Sequence, residues 1–113
     1  MSSISTHILD TACGTPASDV SITLTKHDGS QWQAIGSGKT NKDGRVPDLC
    51  KYHPNLTVGT YKMHFETKPY FATRNDPVFY PYAEVVFIID QRQQHYHIPL
   101  LLSPFGYSTY RGS

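Results

Sequence analysis

The sequence is poor in charge excess, in cysteine and in long apolar runs, and each shortage excludes something. Lys plus Arg is 10 and Asp plus Glu is 9, a formal net charge of +1 with no basic or acidic block. Phosphate binding needs clustered Lys and Arg, so nucleic acid is not expected as the main partner. No apolar run approaches the roughly 20 residues of a membrane-spanning helix, so no membrane is expected either. The opening MSSISTHILD lacks a charged segment leading into an apolar one, so no signal peptide is expected. Cytoplasm is the default location, with a periplasmic or peroxisomal form left open. The 2 cysteines, Cys13 and Cys50, lack metal spacing and read as reduced thiols. No glycine-rich phosphate loop follows a strand, and GxSxG, CxxC and HExxH are all missing, which removes several nucleotide, hydrolase and metallopeptidase classes.

What is present is β chemistry. The 113 residues make one domain, residues 1–113, long enough to bury a core without staples. Eight Tyr, five Phe and eight Pro fit a strand-rich chain with many turns. Period-2 alternation predicts strands from Ile4 to Asp10, from Val20 to about Thr25, and from Thr60 to Thr67 with Tyr61, Met63 and Phe65 inward. His27-Asp28-Gly29-Ser30 is a hairpin turn leading into a strand from Trp32 to Lys39 that Gly36 and Gly38 weaken. Gly14 to Pro16 and Asn41 to Gly44 read as turns, the latter followed by a very short strand at Arg45 and Val46. Pro69 to Asp76 has no period of two and holds one or two helical turns. Ala83 to Asp90 is apolar at nearly every position, which predicts a strand covered on both sides; Gln91 to Gln94 is a polar turn. The sum is an all-β chain: a two-sheet β-sandwich of about eight strands with one short helix.

The last nineteen residues, His95 to Ser113, carry the most information. Tyr96, Ile98, Leu100 and Leu102 form a core face, whereas His95, His97, Pro99 and Leu101 form an unusual outer one. Pro104 and Gly106 mark a turn, and Tyr107 to Arg111 runs back as a strand. An aromatic and basic end directly after a tight hairpin points to a tail that is tied down, not frayed. The first strand also has apolar residues on both faces, with His7 beside Leu9. If it and the His95 strand share a sheet, covering by a second subunit would resolve the exposed patch and place polar groups in a cleft between subunits.

The groups able to do chemistry are histidine and arginine. His7, His95 and His97 could form a three-histidine metal site, but no carboxylate or cysteine stands at ligand spacing and no metal is expected. His27, His53 and His64 fall in loops or on outward positions. A neutral imidazole can take a proton from water near pH 7. A neighbouring guanidinium disfavours its protonation and can hold an anionic oxygen. Arg45 and Arg111 are both candidates for that role, and spacing does not choose between them.

STHILD, TNKDGR, FYPYAEVVF, HYHIPLLLSP and YSTYRGS, in that order from residue 5 to residue 113, resemble the 5-hydroxyisourate hydrolases, the transthyretin-related proteins of urate breakdown. The resemblance implies a transthyretin-like sandwich assembled as a homotetramer, a dimer of dimers with active sites in a central channel. It implies hydrolysis of the lactam-type C–N bond of 5-hydroxyisourate to 2-oxo-4-hydroxy-4-carboxy-5-ureidoimidazoline, with no cofactor. Carried across residue by residue, it assigns catalysis to His7, Arg45 and His97. It assigns substrate binding to His7, Arg45, Tyr110, Arg111 and Ser113, and leaves His95 as a shell residue. Transthyretin itself, a carrier of a small aromatic hormone, lacks the His, Arg, His set and the YRGS end. Small-molecule binding and transport on the same fold is the competing expectation.

Overall fold

A computed structural model describes residues 3–90 and 94–112. Eight strands and one short helix follow in chain order: β1 (Ser3–Asp10), β2 (Thr15–Pro16), β3 (Ser21–His27), β4 (Trp32–Lys39), β5 (Gly59–Glu66), α1 (Lys68–Thr73), β6 (Ala83–Ile89), β7 (His95–Ser103) and β8 (Gly106–Thr109). They form two four-stranded sheets, ordered β2-β1-β7-β8 and β4-β3-β5-β6. The expected sandwich is therefore present.

Alternation builds the core. Ile4 and Ile8 of β1 and Tyr96, Ile98, Leu100 and Leu102 of β7 face Ile22 and Leu24 of β3 and Tyr61, Met63 and Phe65 of β5, all buried. β1 and β7 run parallel, with Ser3 opposite His95, Ser5 opposite His97 and His7 opposite Pro99. The first and penultimate strands thus share one sheet, and their second faces look out together.

Four expectations are corrected. Arg45 and Val46 form no strand; they belong to a loop, in which the Arg45 amide and carbonyl both bond to Asn41, while β1 bonds to the Gly44 carbonyl through Ile8 N–H at 2.9 Å. Thr15 and Pro16, read as a turn, instead make the two-residue edge strand against Leu9 and Asp10. β6 is not covered on both sides: it is the edge of its sheet, and Val86 and Ile88 are 58% and 68% exposed. Leu9 and Leu101, expected to be bare on the outer face of β1 and β7, are half-buried within the single chain. Of the polar turn at 91–94, residues 91–93 lie outside the described residues.

α1 starts with Pro69 in its first turn, where the missing amide costs nothing, and buries Tyr70 and Phe71. The Tyr70 hydroxyl donates to buried Asp10 Oδ2 at 2.6 Å, tying the helix to the end of β1. Burial pushes the Asp10 carboxyl up, but hydrogen bonds from Tyr70, Cys13 and the Ala12 and Cys13 amides outweigh it and hold it below its ordinary range. Cys13 and Cys50 are both free thiols.

The glycines that weaken β4 as a strand have a use. A Cβ on Gly36 would lie 1.8 Å from the Leu49 carbonyl oxygen, and one on Gly38 would lie 2.6 Å from Val46 Cγ1. The segment that follows Arg45 therefore lies directly on β4, and buried Leu49 anchors it. Gly36→Ala is expected to destabilise the protein by roughly 2–3 kcal/mol through overpacking, read by denaturant unfolding at fixed protein concentration.

Candidate active site

The parallel register places Ser3, Ser5 and His7 of β1 beside His95 and His97 of β7 on the outer face. Four ring and hydroxyl groups join in a line. Ser3 Oγ lies 2.6 Å from His95 Nδ1, Ser5 Oγ 2.7 Å from His95 Nε2, and the same Ser5 Oγ 2.8 Å from His97 Nδ1. His97 keeps Nε2 free of the serines. His7 stands two residues along the sheet, about 7 Å by strand rise.

Arg45 reaches this face through a turn that its own sequence closes. Asn41 Oδ1 accepts from the Asp43 and Arg45 amides at 2.9 and 3.1 Å, and the Asn41 amide donates to the Arg45 carbonyl at 2.8 Å. Gly44 has φ +75°, and a Cβ there would meet the Ile8 carbonyl oxygen at 2.5 Å and His7 Cδ2 at 3.3 Å. Glycine is required twice, for its conformation and for room. The loop is pinned below by buried Thr40, whose hydroxyl donates to the Ala17 carbonyl at 2.8 Å and accepts from the Val20 amide at 2.9 Å.

The tail closes the other side. Gly112 bridges to His97, its amide donating to the His97 carbonyl at 2.8 Å, in continued register with the β7–β8 ladder. The ladder is interrupted at Pro99, which has no amide to give. Pleating puts Gly112 and Tyr110 on the histidine side and Arg111 on the inner side. The Arg111 guanidinium lies over the Tyr96 ring, 4.5 Å from its centroid, and donates to Gln94 Oε1. Tyr110 is 58% exposed. A Cβ on Gly112 would fall 2.5 Å from His97 Cδ2, so the tail backbone packs on the ring.

The structure thus gathers His7, His95, His97 and Arg45, leaves Tyr110 exposed, and sends Arg111 to the open edge of the sandwich. There Arg111 borders a groove of about 450 Å³ shared with Val86, Ile88, Ile98 and Tyr110. Ser113 lies outside the described residues. Ser3, Ser5 and Gly44 were missed as site residues, and Gly112 entered only as part of the YRGS end. The alternation of β1 already put Ser5 on the face of His7, but only the parallel register shows what it touches. Among the described residues no group of three or more His, Cys, Asp or Glu side chains is disposed to hold a metal ion. His95, with a serine on each ring nitrogen, has no lone pair to spare for one. His64 lies on the outer face of the other sheet, with Glu84 and Glu66 at 2.8 and 2.5 Å from its two nitrogens.

His97 has a depressed pKa. Partial burial is the largest cause, followed by the Arg45 guanidinium and the neighbouring His95 and His7. The ring is held neutral at pH 7 with a basic nitrogen available, beside a permanent cation. Arg45→Gln should raise the His97 pKa toward the ordinary value of 6.5, as followed by histidine ring signals in an NMR pH titration.

The chain is similar to known proteins in sequence and fold. The HIUase/Transthyretin family model matches residues 4–112. The mouse 5-hydroxyisourate hydrolase is 45% identical over 114 residues, covering 99% of this chain and 96% of that protein. The structure of 5-hydroxyisourate hydrolase from Klebsiella pneumoniae superposes with a TM-score of 0.84 at 35% identity, covering 97% and 98% of the two chains. Sea bream transthyretin in complex with thyroxine superposes at 0.89 with 32% identity, over 96% and 93%. With the match spanning both sheets, the Arg45 turn and the tail up to Gly112, the chain belongs to the HIUase/Transthyretin family.

Proposed function

We propose that the protein hydrolyses 5-hydroxyisourate to 2-oxo-4-hydroxy-4-carboxy-5-ureidoimidazoline, a step of urate catabolism. The observation that carries this reading is the grouping of His97 and His7 on adjacent strands of one sheet face, with the Arg45 guanidinium near enough to help hold the His97 pKa down. His97 Nε2 takes a proton from water as the oxygen attacks the lactam carbonyl. Arg45 holds the oxygen on which negative charge develops. His7 orients the water or the ring oxygens of the substrate. Collapse breaks the C–N bond, and the proton on His97 passes to the leaving nitrogen. Exposed Tyr110 and the tail backbone bind substrate; Ser113 belongs to the same proposal. No step needs a metal or an organic cofactor.

The carrier reading draws on the same sandwich, since the sea bream transthyretin that superposes on this chain holds thyroxine. A carrier needs no proton acceptor beside a guanidinium, and the His7, Arg45, His97 set favours the hydrolase.

The assembly belongs to the proposal. Edge strands β6 and β8 carry exposed Val86, Ile88 and Tyr107, with Tyr110 just beyond β8, the pattern of strand edges that meet a second copy. A dimer built there and paired again through the β1–β7 faces gives a homotetramer with the histidines in a channel. Light scattering at micromolar concentration should find four copies, and a monomer would contradict this.

Freshly generated 5-hydroxyisourate, followed by ultraviolet absorbance, should decay in proportion to added protein. His97→Ala and Arg45→Ala, still tetrameric, should each lose about 10²–10³-fold in kcat. Absence of acceleration by the wild type would turn the reading to the carrier.

A further inference from the structure

The line Ser3–His95–Ser5–His97 has a property that separate hydrogen bonds lack: each of its two inner members uses both of its polar sites. Ser5 Oγ faces one nitrogen of each histidine, at 2.7 and 2.8 Å, and His95 faces a serine on each of its nitrogens, at 2.6 and 2.7 Å. A hydroxyl has one proton to donate, and a neutral imidazole has one N–H and one acceptor. When Ser5 donates to one ring and accepts from the other, the directions of all three bonds are coupled, and two arrangements of neutral rings result. In the first, His97 Nδ1–H donates to Ser5, Ser5 donates to His95 Nε2, and His95 Nδ1–H donates to Ser3. In the second every direction is reversed.

We infer that Ser5 and His95 are positioning residues that set the tautomer of His97 and relay its proton to solvent at Ser3. In the first arrangement His97 Nε2 is the unprotonated nitrogen, ready to act as a base. When Nε2 gains a proton from water, the Nδ1 proton moves to Ser5 Oγ and the Ser5 proton moves to His95 Nε2. The His95 Nδ1 proton moves to Ser3 Oγ, and the Ser3 proton leaves to solvent. One proton enters at His97 and one leaves at Ser3, so no ring becomes a cation. The second arrangement results, with His97 Nε2–H poised to donate to the leaving nitrogen. That donation, with the reverse shift, resets the line.

The local charges favour such a relay. The groups facing His97 are Arg45 from its loop, His7 from β1 and His95 from its own strand, and each opposes an imidazolium there. A base that cannot easily hold charge gains from passing a proton along. The line ends at the surface of the chain: Ser3 and His95 are exposed, while Ser5 and His97 are half-buried.

This inference rests on the proposed hydrolysis for its kinetic consequences, but not for the hydrogen-bond line. The test uses full-length protein, 15N-labelled at histidine. In wild type the ring-nitrogen shifts of His97 should report a proton predominantly on Nδ1. Ser5→Ala should abolish that bias, lower kcat about 10–100-fold and leave KM within about twofold. Ser5→Thr, which keeps the hydroxyl, should restore most of the rate. The proton inventory of kcat in mixed light and heavy water should be curved in wild type and linear in His95→Phe, where the line stops at Ser5. Wild-type rates in Ser5→Ala, or a linear inventory in wild type, would overturn the relay. If the wild type fails to accelerate decay of 5-hydroxyisourate while the His97 shifts still respond to Ser5→Ala, the hydrolase reading falls and the tautomer assignment stands. Normal activity with His97 shifts indifferent to Ser5→Ala sinks the assignment and leaves the hydrolase.

Discussion

The parallel pairing of β1 with β7 is the constraint on which the rest depends. It joins residues some 90 positions apart, so every group on the outer face owes its neighbours to one register. Buried Thr6 locks that register, its hydroxyl donating to the Ile98 carbonyl at 2.6 Å, while Ile4 and Ile8 pack inward beside Tyr96 and Ile98. A slip of one residue would turn the whole apolar set outward. A slip of two would keep the core face but take Ser5 away from both histidines. The core therefore excludes odd slips, and side-chain hydrogen bonds across the pair favour one of the even registers.

Around this pair the sequence spends its glycines on close approach. Gly36 and Gly38 let the 46–49 segment lie on β4, Gly44 lets its turn touch β1 and the His7 ring, and Gly112 lets the tail touch the His97 ring. Their joint effect is to bring a guanidinium and two backbone segments against a histidine face without burying a charge outright. Arg45 stays exposed, so its cation is solvated at little cost yet near enough to disfavour an imidazolium on His97. Lowered basicity and a retained positive field serve the same chemistry, a neutral base acting on an oxygen that becomes an anion.

Much of this was legible in the residues. The alternation of β1, β3 and β5 gave those strands and their inward faces, because one side of each meets the core and the other does not. β6 misled, since its Val86 and Ile88 are apolar yet exposed at a sheet edge, and composition cannot separate a face covered by the same chain from one left for a second copy. Arg45 and Val46 looked like a strand after a turn, but pairing depends on a partner backbone that only the fold supplies. Of the candidate site, residue chemistry singled out His7, His97 and Arg45 as able to do chemistry, and resemblance to a family joined them into one set. Ser5 sat on the correct face and was passed over, because its meaning lies in contacts with His95 and His97 across the chain. Arg111 was carried over by resemblance as a substrate-binding residue, and pleating past Pro99, not spacing, decides which side of the sheet it takes.

The central claim is that a neutral His97, held so by burial and by Arg45, takes the proton from water. The most direct test is the pH dependence of kcat/KM for decay of 5-hydroxyisourate, which reports ionisation in the free enzyme. Lowering the pKa of a base extends its active, unprotonated form to lower pH. The account predicts a rate that holds steady through the ordinary histidine range near 6.5 and falls only at more acidic pH. A rate that instead rises as the pH drops through that range would require an imidazolium as the working group, and would contradict the account.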